Sequence, residues 1–353
     1  MSPSASTNDR PTEVVTVSRK AEHIRINLEE NVAAKGVASG FDAWRLVHRA
    51  LPEIDLGDVD ISTTLLGRPV GAPLLVSCMT GGTQQAQRIN TRLAAAAQER
   101  RLAMGLGSCR VLLEHPDVLP TFDVRDTAPS VPLLANLGAV QLNRGVTAAD
   151  CRRLLDMLRA DALVLHLNPL QEAVQPEGDT CFAGLLEQIA MLCRDLDAPV
   201  IVKEVGWGIA DDLVAALLER GVAAVDVAGA GGTSWSEVER HRIGDAVRAR
   251  VAGAFAAWGI PTATAVVRAR VAAPDAYIIA SGGVRDGIDV AKAVALGADM
   301  AGMAGPLLRA AHAGEQELAD LIDTVLGELR IAMFCTGSAR IADVRANRRI
   351  ESA

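Results

Sequence analysis

The chain has 353 residues, half of them hydrophobic and 22% charged, which is apolar material enough for a large core and excludes a disordered chain. A net charge of −8 sets the molecule against nucleic acid, so any anionic ligand requires a local cationic pocket. Six cysteines without a C-x-x-C pair point to reduced thiols in a cytoplasmic protein, and no apolar run approaches the roughly 20 residues that a membrane helix needs.

Taken in chain order, residues 1–18 read as a mobile Ser/Thr/Pro-rich lead with no cationic-then-apolar secretory pattern. Residues 19–353 read as one domain, its first part, up to residue 72, capping one end of the remainder. Eight apolar runs then predict strands: "PLLVSCM" (73–79), "LAMGLG" (102–107), "PLLANLG" (132–138), "DALVLHL" (161–167), "PVIVKEV" (199–205), "AAVDVAG" (223–229), "DAYIIAS" (275–281) and "ADMAGMA" (298–304). They are apolar throughout, the pattern of parallel strands covered on both faces. Amphipathic segments such as "CRRLLDMLRA", "FAGLLEQIAMLCRDL" and "GIDVAKAVALG" lie between them. Alternating strand and helix predict an α/β fold, a (β/α)8 TIM barrel with its strands within about 73–306, an N-terminal capping segment and a C-terminal helical extension. An open doubly wound sheet is the competing architecture, but "SCMTGGTQQ" lacks the G-x-G-x-x-G spacing such a sheet commonly carries after its first strand. The basic tail "RIADVRANRRI" reads as a solvated helix end.

In such barrels chemistry collects where strands end. The segment "ASGGVRDG…MAGMAGP" places Gly282, Gly283 and Gly305 after the last two strands, where backbone N–H groups can cradle a phosphate. Thr80 and Asn136 offer hydrogen bonds to a flat heterocycle. Lys203, closing "PVIVK", offers a positive charge suited to a flavin ring. One phosphate and one ring favour flavin mononucleotide (FMN) over a dinucleotide. The fourth strand ends in "HLNPLQE", which presents His166, two carboxamides and Glu172 within seven residues. "SRKAEHIR" and "GSCR" supply separate cations, and Trp235 is placed to wall the pocket.

With these residues the chain resembles the FMN-dependent type 2 isopentenyl-diphosphate Δ-isomerases. The matching pieces are "RKAEHIR" (19–25), "MTGG" (79–82), "GSCR" (107–110), "ANLGAVQL" (135–142), "HLNPLQEAVQPEGD" (166–179), "VIVKEVGWGI" (201–209), "DVAGAGGTSW" (226–235), "ASGGVRDGIDVAKAVALGADMAG" (280–302) and "MFCTG" (333–337). The resemblance implies that Met79, Thr80, Ser108, Asn136, Lys203 and Thr233 hold FMN, with its phosphate on Gly282, Gly283, Arg285, Ala304 and Gly305. It implies that Arg19, Lys20, His23, Ser108 and Arg110 meet the substrate diphosphate, with His166 and Asn168 near by. Gln171 would lie beside the isoprenoid carbons, with His166 the other catalytic candidate, and Glu172 would carry Mg2+ bridging to the diphosphate. Cys109 departs from the glutamine frequent in the family at that position.

By the same resemblance, reduced FMN performs acid–base chemistry on a double bond with no net redox, NADPH keeps it reduced, and the chain assembles as a tetramer or octamer. The partner is a small isoprenoid diphosphate, with no nucleic acid and no membrane. Two other functions fit a barrel. A 2-hydroxy-acid oxidase needs a histidine beside an arginine at the end of strand seven, where this chain reads "SGGVRDG". A non-catalytic phosphate-binding scaffold leaves "HLNPLQE" without purpose.

Overall fold

The structure, a computed structural model, describes the backbone of residues 12–347 and 349–353 and the side chains of 19–346 and 349–353. Residues 1–11 of the expected lead lie outside the described residues, and its remainder belongs to helix α1, Thr12–Glu29. Eight parallel strands come after it: β1 Leu74–Val76, β2 Ala103–Gly105, β3 Leu133–Gly138, β4 Ala162–Leu167, β5 Val200–Glu204, β6 Ala224–Asp226, β7 Ile278–Ser281 and β8 Met300–Met303. They form a closed barrel in chain order, β8 pairing back onto β1 through Ala301↔Leu74, Gly302↔Leu75 and Met303↔Val76. The architecture is therefore a (β/α)8 TIM barrel, and all eight apolar runs contain a barrel strand.

Strand residues alternate between two cores. Leu75, Ala103, Leu134, Val164, Ile201, Ala224, Ile279 and Met300 share a buried cluster that fills the barrel interior. Their neighbours Leu74, Val76, Met104, Leu133, Leu163, Val200, Val225 and Ile278 pack outward under the helices. Every one of these side chains is almost fully withdrawn from water. This double burial is why the strands are apolar at every position.

The capping segment serves both ends of the barrel. The hairpin Thr63–Leu65 with Arg68–Val70 inserts Leu65 and Val70 into the interior cluster, and Tyr277 donates its hydroxyl to Thr64 O at 2.6 Å. Helix α1 lies at the other end, over the strand C-termini. The basic tail is not a solvated helix end. Helix Ile341–Asn347 runs into strand Ile350–Ser352, which pairs antiparallel with Trp44–Leu46; Arg345 pairs with Asp299, and Arg349 donates to Thr336 O. Long-range pairing of this kind leaves no local pattern in the sequence.

Gly287 opens the helix Gly287–Leu296, which packs against the long helix Glu315–Cys335. A Cβ at Gly287 would stand 2.1 Å from Val325 O and 2.4 Å from Leu329 N. Gly287→Ala therefore forces two backbones apart, and we expect a loss of about 1–3 kcal/mol of the kind overpacking produces. A thermal melt should show a midpoint several degrees lower.

Candidate active site

A cavity of about 670 Å3 opens at the C-terminal ends of the strands and is lined from all sides of the barrel. That size is within the usual range for cofactor and small-molecule sites. Every residue singled out from the sequence lines it, including the three on α1.

One end is built from backbone. Gly282 and Gly283 have φ of 102° and 71°, a region that side chains disfavour. A Cβ on Gly282 would stand 2.1 Å from Gly229 O, and one on Gly283 2.7 Å from Gly231 O. Two glycine loops thus pack backbone on backbone, and Thr262 fixes them by donating its hydroxyl to Gly282 O at 2.6 Å. Ala304 is the N-cap of the nine-residue helix Gly305–Ala313, whose N-terminus lies on the cavity wall beside Thr233. Backbone N–H groups and a helix dipole at such a place are suited to cradling a phosphate. Arg285 also lines the cavity, but its guanidinium donates to Asp289 Oδ2 at 3.0 Å and Asp42 Oδ1 at 2.8 Å. A phosphate contact through that side chain competes with two ion pairs.

The middle is a ring of strand-end side chains. Met79 and Thr80 follow β1, Asn136 stands on β3, His166 on β4 and Lys203 on β5. In the β3–β4–β5 register Gly138 is opposite His166, and His166 opposite Lys203. His166 Nδ1 donates to Asn136 Oδ1 at 2.7 Å, since a carboxamide oxygen only accepts. Burial, with the Lys203 charge adding to it, pushes the His166 pKa down to about 4, so the imidazole is neutral at physiological pH. Lys203 Nζ donates to Glu204 O at 2.6 Å. Asp226, opposite Lys203 on β6, is buried and accepts from Ser281 Oγ at 2.7 Å.

The other end is cationic and amide-rich. Helix α1 is seated by Ile26, which packs with Val32 and Val238 against Trp235, and by Ile24 in the main core. Arg19 and His23, four residues apart, share a helix face. Lys20 Nζ donates to Ser108 O at 3.0 Å and lies 4.8 Å from the Phe122 ring centre. Burial lowers the Lys20 pKa to about 8. Burial also lowers that of Arg19, against the attraction of Glu172 and Glu239. Arg110, half-exposed, pairs loosely with Glu114 at 3.7 Å.

Helix α2, Pro169–Val174, begins directly after β4 and carries Gln171 and Glu172. Asn168 Nδ2 donates to Gln171 Oε1 at 3.2 Å and to Glu172 Oε1 at 2.7 Å. Glu172 Oε2 accepts from Gln175 Nε2 at 2.5 Å and from the Asp179 N–H at 2.6 Å. Three of about four acceptor sites on that carboxylate are filled, leaving room at Oε1, and Asn168 Oδ1 is buried without a partner. Among the described residues no group of three or more His, Cys, Asp or Glu side chains could enclose a metal. A cation here would have one carboxylate and amide oxygens.

Sequence reasoning missed Glu239. It lies on helix α3, Trp235–Arg242, with no exposed side-chain surface. Its Oε1 accepts from Gln171 Nε2 and lies against His23 Nε2, each at 3.0 Å, and its Oε2 accepts from Arg242 at 2.9 Å. In sequence "SEVERHR" reads as a solvated charge run, and only the close approach of α1 and α2 buries it. Cys109 is also buried, its Sγ turned to Gly107 O at 3.1 Å, and burial pushes its thiol up to about 12. It is inert packing, so the substitution at this position leaves Ser108 and Arg110 on the cavity.

This barrel and its strand-end cavity define the chain's class: the profile of the FMN-dependent dehydrogenase family matches residues 15–112 and 149–351. Solved structures of a mandelate oxidase variant with (S)-mandelic acid and of a lactate oxidase from Pediococcus acidilactici share the fold. Their TM-scores are 0.65 and 0.63 at 17% and 16% identity, covering 98% and 97% of this chain and 99% and 94% of theirs. Within that class the chain belongs to the isopentenyl-diphosphate delta-isomerase family. It is 56% identical to such an enzyme from Synechococcus over 93% of this chain and 94% of the relative, and 52% identical to one from Nostoc over 94% of both. A Rickettsia bellii relative of the same name is 48% identical over 94% of this chain and 97% of its own.

The low Lys20 pKa gives the anion end a pH dependence. Its ammonium is charged below about pH 8 and lost as pH rises through that value, so attraction for a polyphosphate is present below pH 8 and falls above it. Calorimetric titration with inorganic pyrophosphate should show affinity dropping several-fold between pH 7 and 9, and Lys20→Met should be weaker and flat. The same drop in Lys20→Met would assign the titration to another group.

Proposed function

We propose that the protein interconverts isopentenyl diphosphate and dimethylallyl diphosphate, with reduced FMN in the strand-end cavity and Mg2+ on the diphosphate. The observation that carries this reading is the two-ended cavity. Glycine backbone that would cradle a phosphate lines one end at Gly282, Gly283 and Gly305, and Arg19, Lys20 and Arg110, with His23 beside them, line the other. One ligand with a terminal phosphate and another with a diphosphate would be held head to head across Lys203, Asn136 and Gln171.

The donor set fits FMN. The cradle suits a monophosphate, Thr80 and Asn136 suit the polar edge of the ring, and Lys203 brings the positive charge that favours a reduced flavin. Bound reduced FMN would supply acid–base chemistry at the alkene, and NADPH would keep it reduced. Glu172 would hold Mg2+, which prefers one or two carboxylates completed by phosphate oxygens. The unpartnered Asn168 Oδ1 supports this placement.

The chain's own residues then have separable tasks. Arg19, Lys20 and Arg110 neutralise the diphosphate through charge-assisted contacts. Gln171 is fixed from both sides by Asn168 and Glu239, so a neutral amide faces the reacting carbons and cannot trap a cationic centre. Neutral His166 can accept a hydrogen bond at Nε2 and donates none to an anion while it remains so. Helix α1 covers the mouth and keeps water from the reacting centre. Assembly as a homo-oligomer in the cytoplasm completes the reading; among the described residues no helix is long and apolar enough to cross a membrane.

The purified protein should be yellow, and anaerobic assays with FMN, NADPH and Mg2+ should show isomerisation. Equal turnover by the flavin-free protein would end the proposal. Glu172→Gln should raise the Mg2+ concentration needed for half-maximal rate at least tenfold, because it removes charge from a hard-cation ligand. Gln171→Leu should lower kcat strongly with FMN and Mg2+ binding retained. Loss of FMN in both variants would instead make α2 a structural element.

A further inference from the structure

Helix α1 carries Arg19, Lys20 and His23 to the cavity, and among its described side chains only Ile24 and Ile26 are fully buried, so polar contacts to neighbouring elements help to fix it over the mouth. Resting on the isomerase reading, we propose that Arg242 is a positioning residue that holds α1 and the loop after α2 closed over the diphosphate end, and so sets affinity for the substrate.

Arg242 ends helix α3 and does not line the cavity. Its guanidinium meets three carboxylates on three separate segments. Nε donates to Glu22 Oε2 on α1 at 3.1 Å, Nη1 to Glu239 Oε2 on α3 at 2.9 Å, and Nη2 to Glu177 in the loop after α2. The Arg242 side chain is only 12% exposed and that of Glu239 not at all, so this pair is shielded from water and salt more than a surface pair is, while Glu22 and Glu177 face the solvent more openly.

The other oxygen of Glu239 extends the link into the site. Its Oε1 meets both His23 on α1 and Gln171 on α2. One guanidinium is therefore connected, directly or through one carboxylate, to the lid, to the loop and to the residue facing the reacting carbons. The other anchors are local. Lys20 reaches Ser108 O and the Phe122 ring, Arg144 holds Asp179, and Arg248 touches Gln175 O at 3.4 Å; none of these ties the lid to the loop. A planar fork can serve three acceptors at once, and an ammonium holds no such fixed geometry. Removing the fork would also leave Glu239 buried without its cation, free to draw Arg19 away from the diphosphate.

The test compares Arg242→Gln with the parent protein. FMN absorbance should be retained. KM for isopentenyl diphosphate should rise at least tenfold, with kcat falling less than threefold. Limited proteolysis within residues 19–31 should be several-fold faster without ligand, and Arg242→Lys should lie between the two. Inorganic pyrophosphate, as a probe that needs no turnover, should bind at least tenfold more weakly and protect the segment less. These two arms separate failure of the latch from failure of the isomerase reading. Unchanged pyrophosphate affinity and unchanged proteolysis would overturn the proposal, as would loss of FMN, which would make Arg242 a general structural residue. Glu22→Gln removes only the exposed lid partner and does not threaten the fold; it should weaken pyrophosphate several-fold, and no change there would remove the direct lid contact from the latch.

Discussion

Closure of the sheet is the constraint on which the rest depends. Once Met303 pairs with Val76, all eight strands point the same way and no strand edge remains open. Residues that are far apart in sequence then arrive together at one rim: Asn136, His166 and Lys203 lie near the ends of their strands, Gly282 directly follows β7, and Thr80 lies in the loop after β1. The interior cluster beneath them is apolar and plugged from below by Leu65 and Val70, so the rim is a rigid platform. A cavity built this way can hold a flat ring without rearrangement.

Charge burial is the second theme. Lys203, Asp226, Glu204 and Glu239 all sit at the rim or behind it: Lys203 is held by Glu204 O, Asp226 Oδ1 accepts from Ser281 while its Oδ2 is buried without a partner, and Glu239 is held by neighbouring helices. Glu204 Oε2 accepts three consecutive N–H groups, from Val205, Gly206 and Trp207, and burial nonetheless pushes its pKa up to about 7. Burial raises that of Asp226 as well, against the pull of Lys203. Uncompensated charges in such a setting are costly, which ties the conformation of each loop to the presence of its partner. Glu239 is the extreme case, because its three partners come from α1, α2 and α3. The solved oxidases share the barrel, but at 16–17% identity they testify to the fold alone. The end of β7 here offers Gly282, Gly283 and Arg285, with no histidine.

Much of this was legible in the sequence because parallel strands buried on both faces read as unbroken apolar runs, and because strand ends are where those runs break into small, amide or charged residues. "PVIVK" and "VLHLN" announced Lys203, His166 and Asn168 by that rule. The spacing of Arg19, Lys20 and His23 announced a cationic face, and α1 carries it to the cavity. What was hidden depends on contacts between distant segments. The Thr63–Val70 hairpin gives no sign that it plugs the barrel floor, and Ile350–Ser352 gives none that it pairs with Trp44–Leu46. Glu239 and Arg242 sit in "SEVERHR", where alternating charges look solvated until two other helices cover them. The commitment of Arg285 to Asp42 and Asp289 was equally invisible, since one partner is more than two hundred residues away.

The central claim is that the site moves a proton on an alkene without consuming electrons. The direct measurement is an anaerobic reaction in D2O, with the protein reduced once and no further reductant supplied, followed by proton NMR and the flavin absorbance together. The expected result is many equivalents of isomerised diphosphate per flavin, carrying deuterium from solvent, while the flavin stays reduced. One equivalent of product per flavin, with the flavin oxidised as it forms, would contradict the claim and make the site an oxidoreductase.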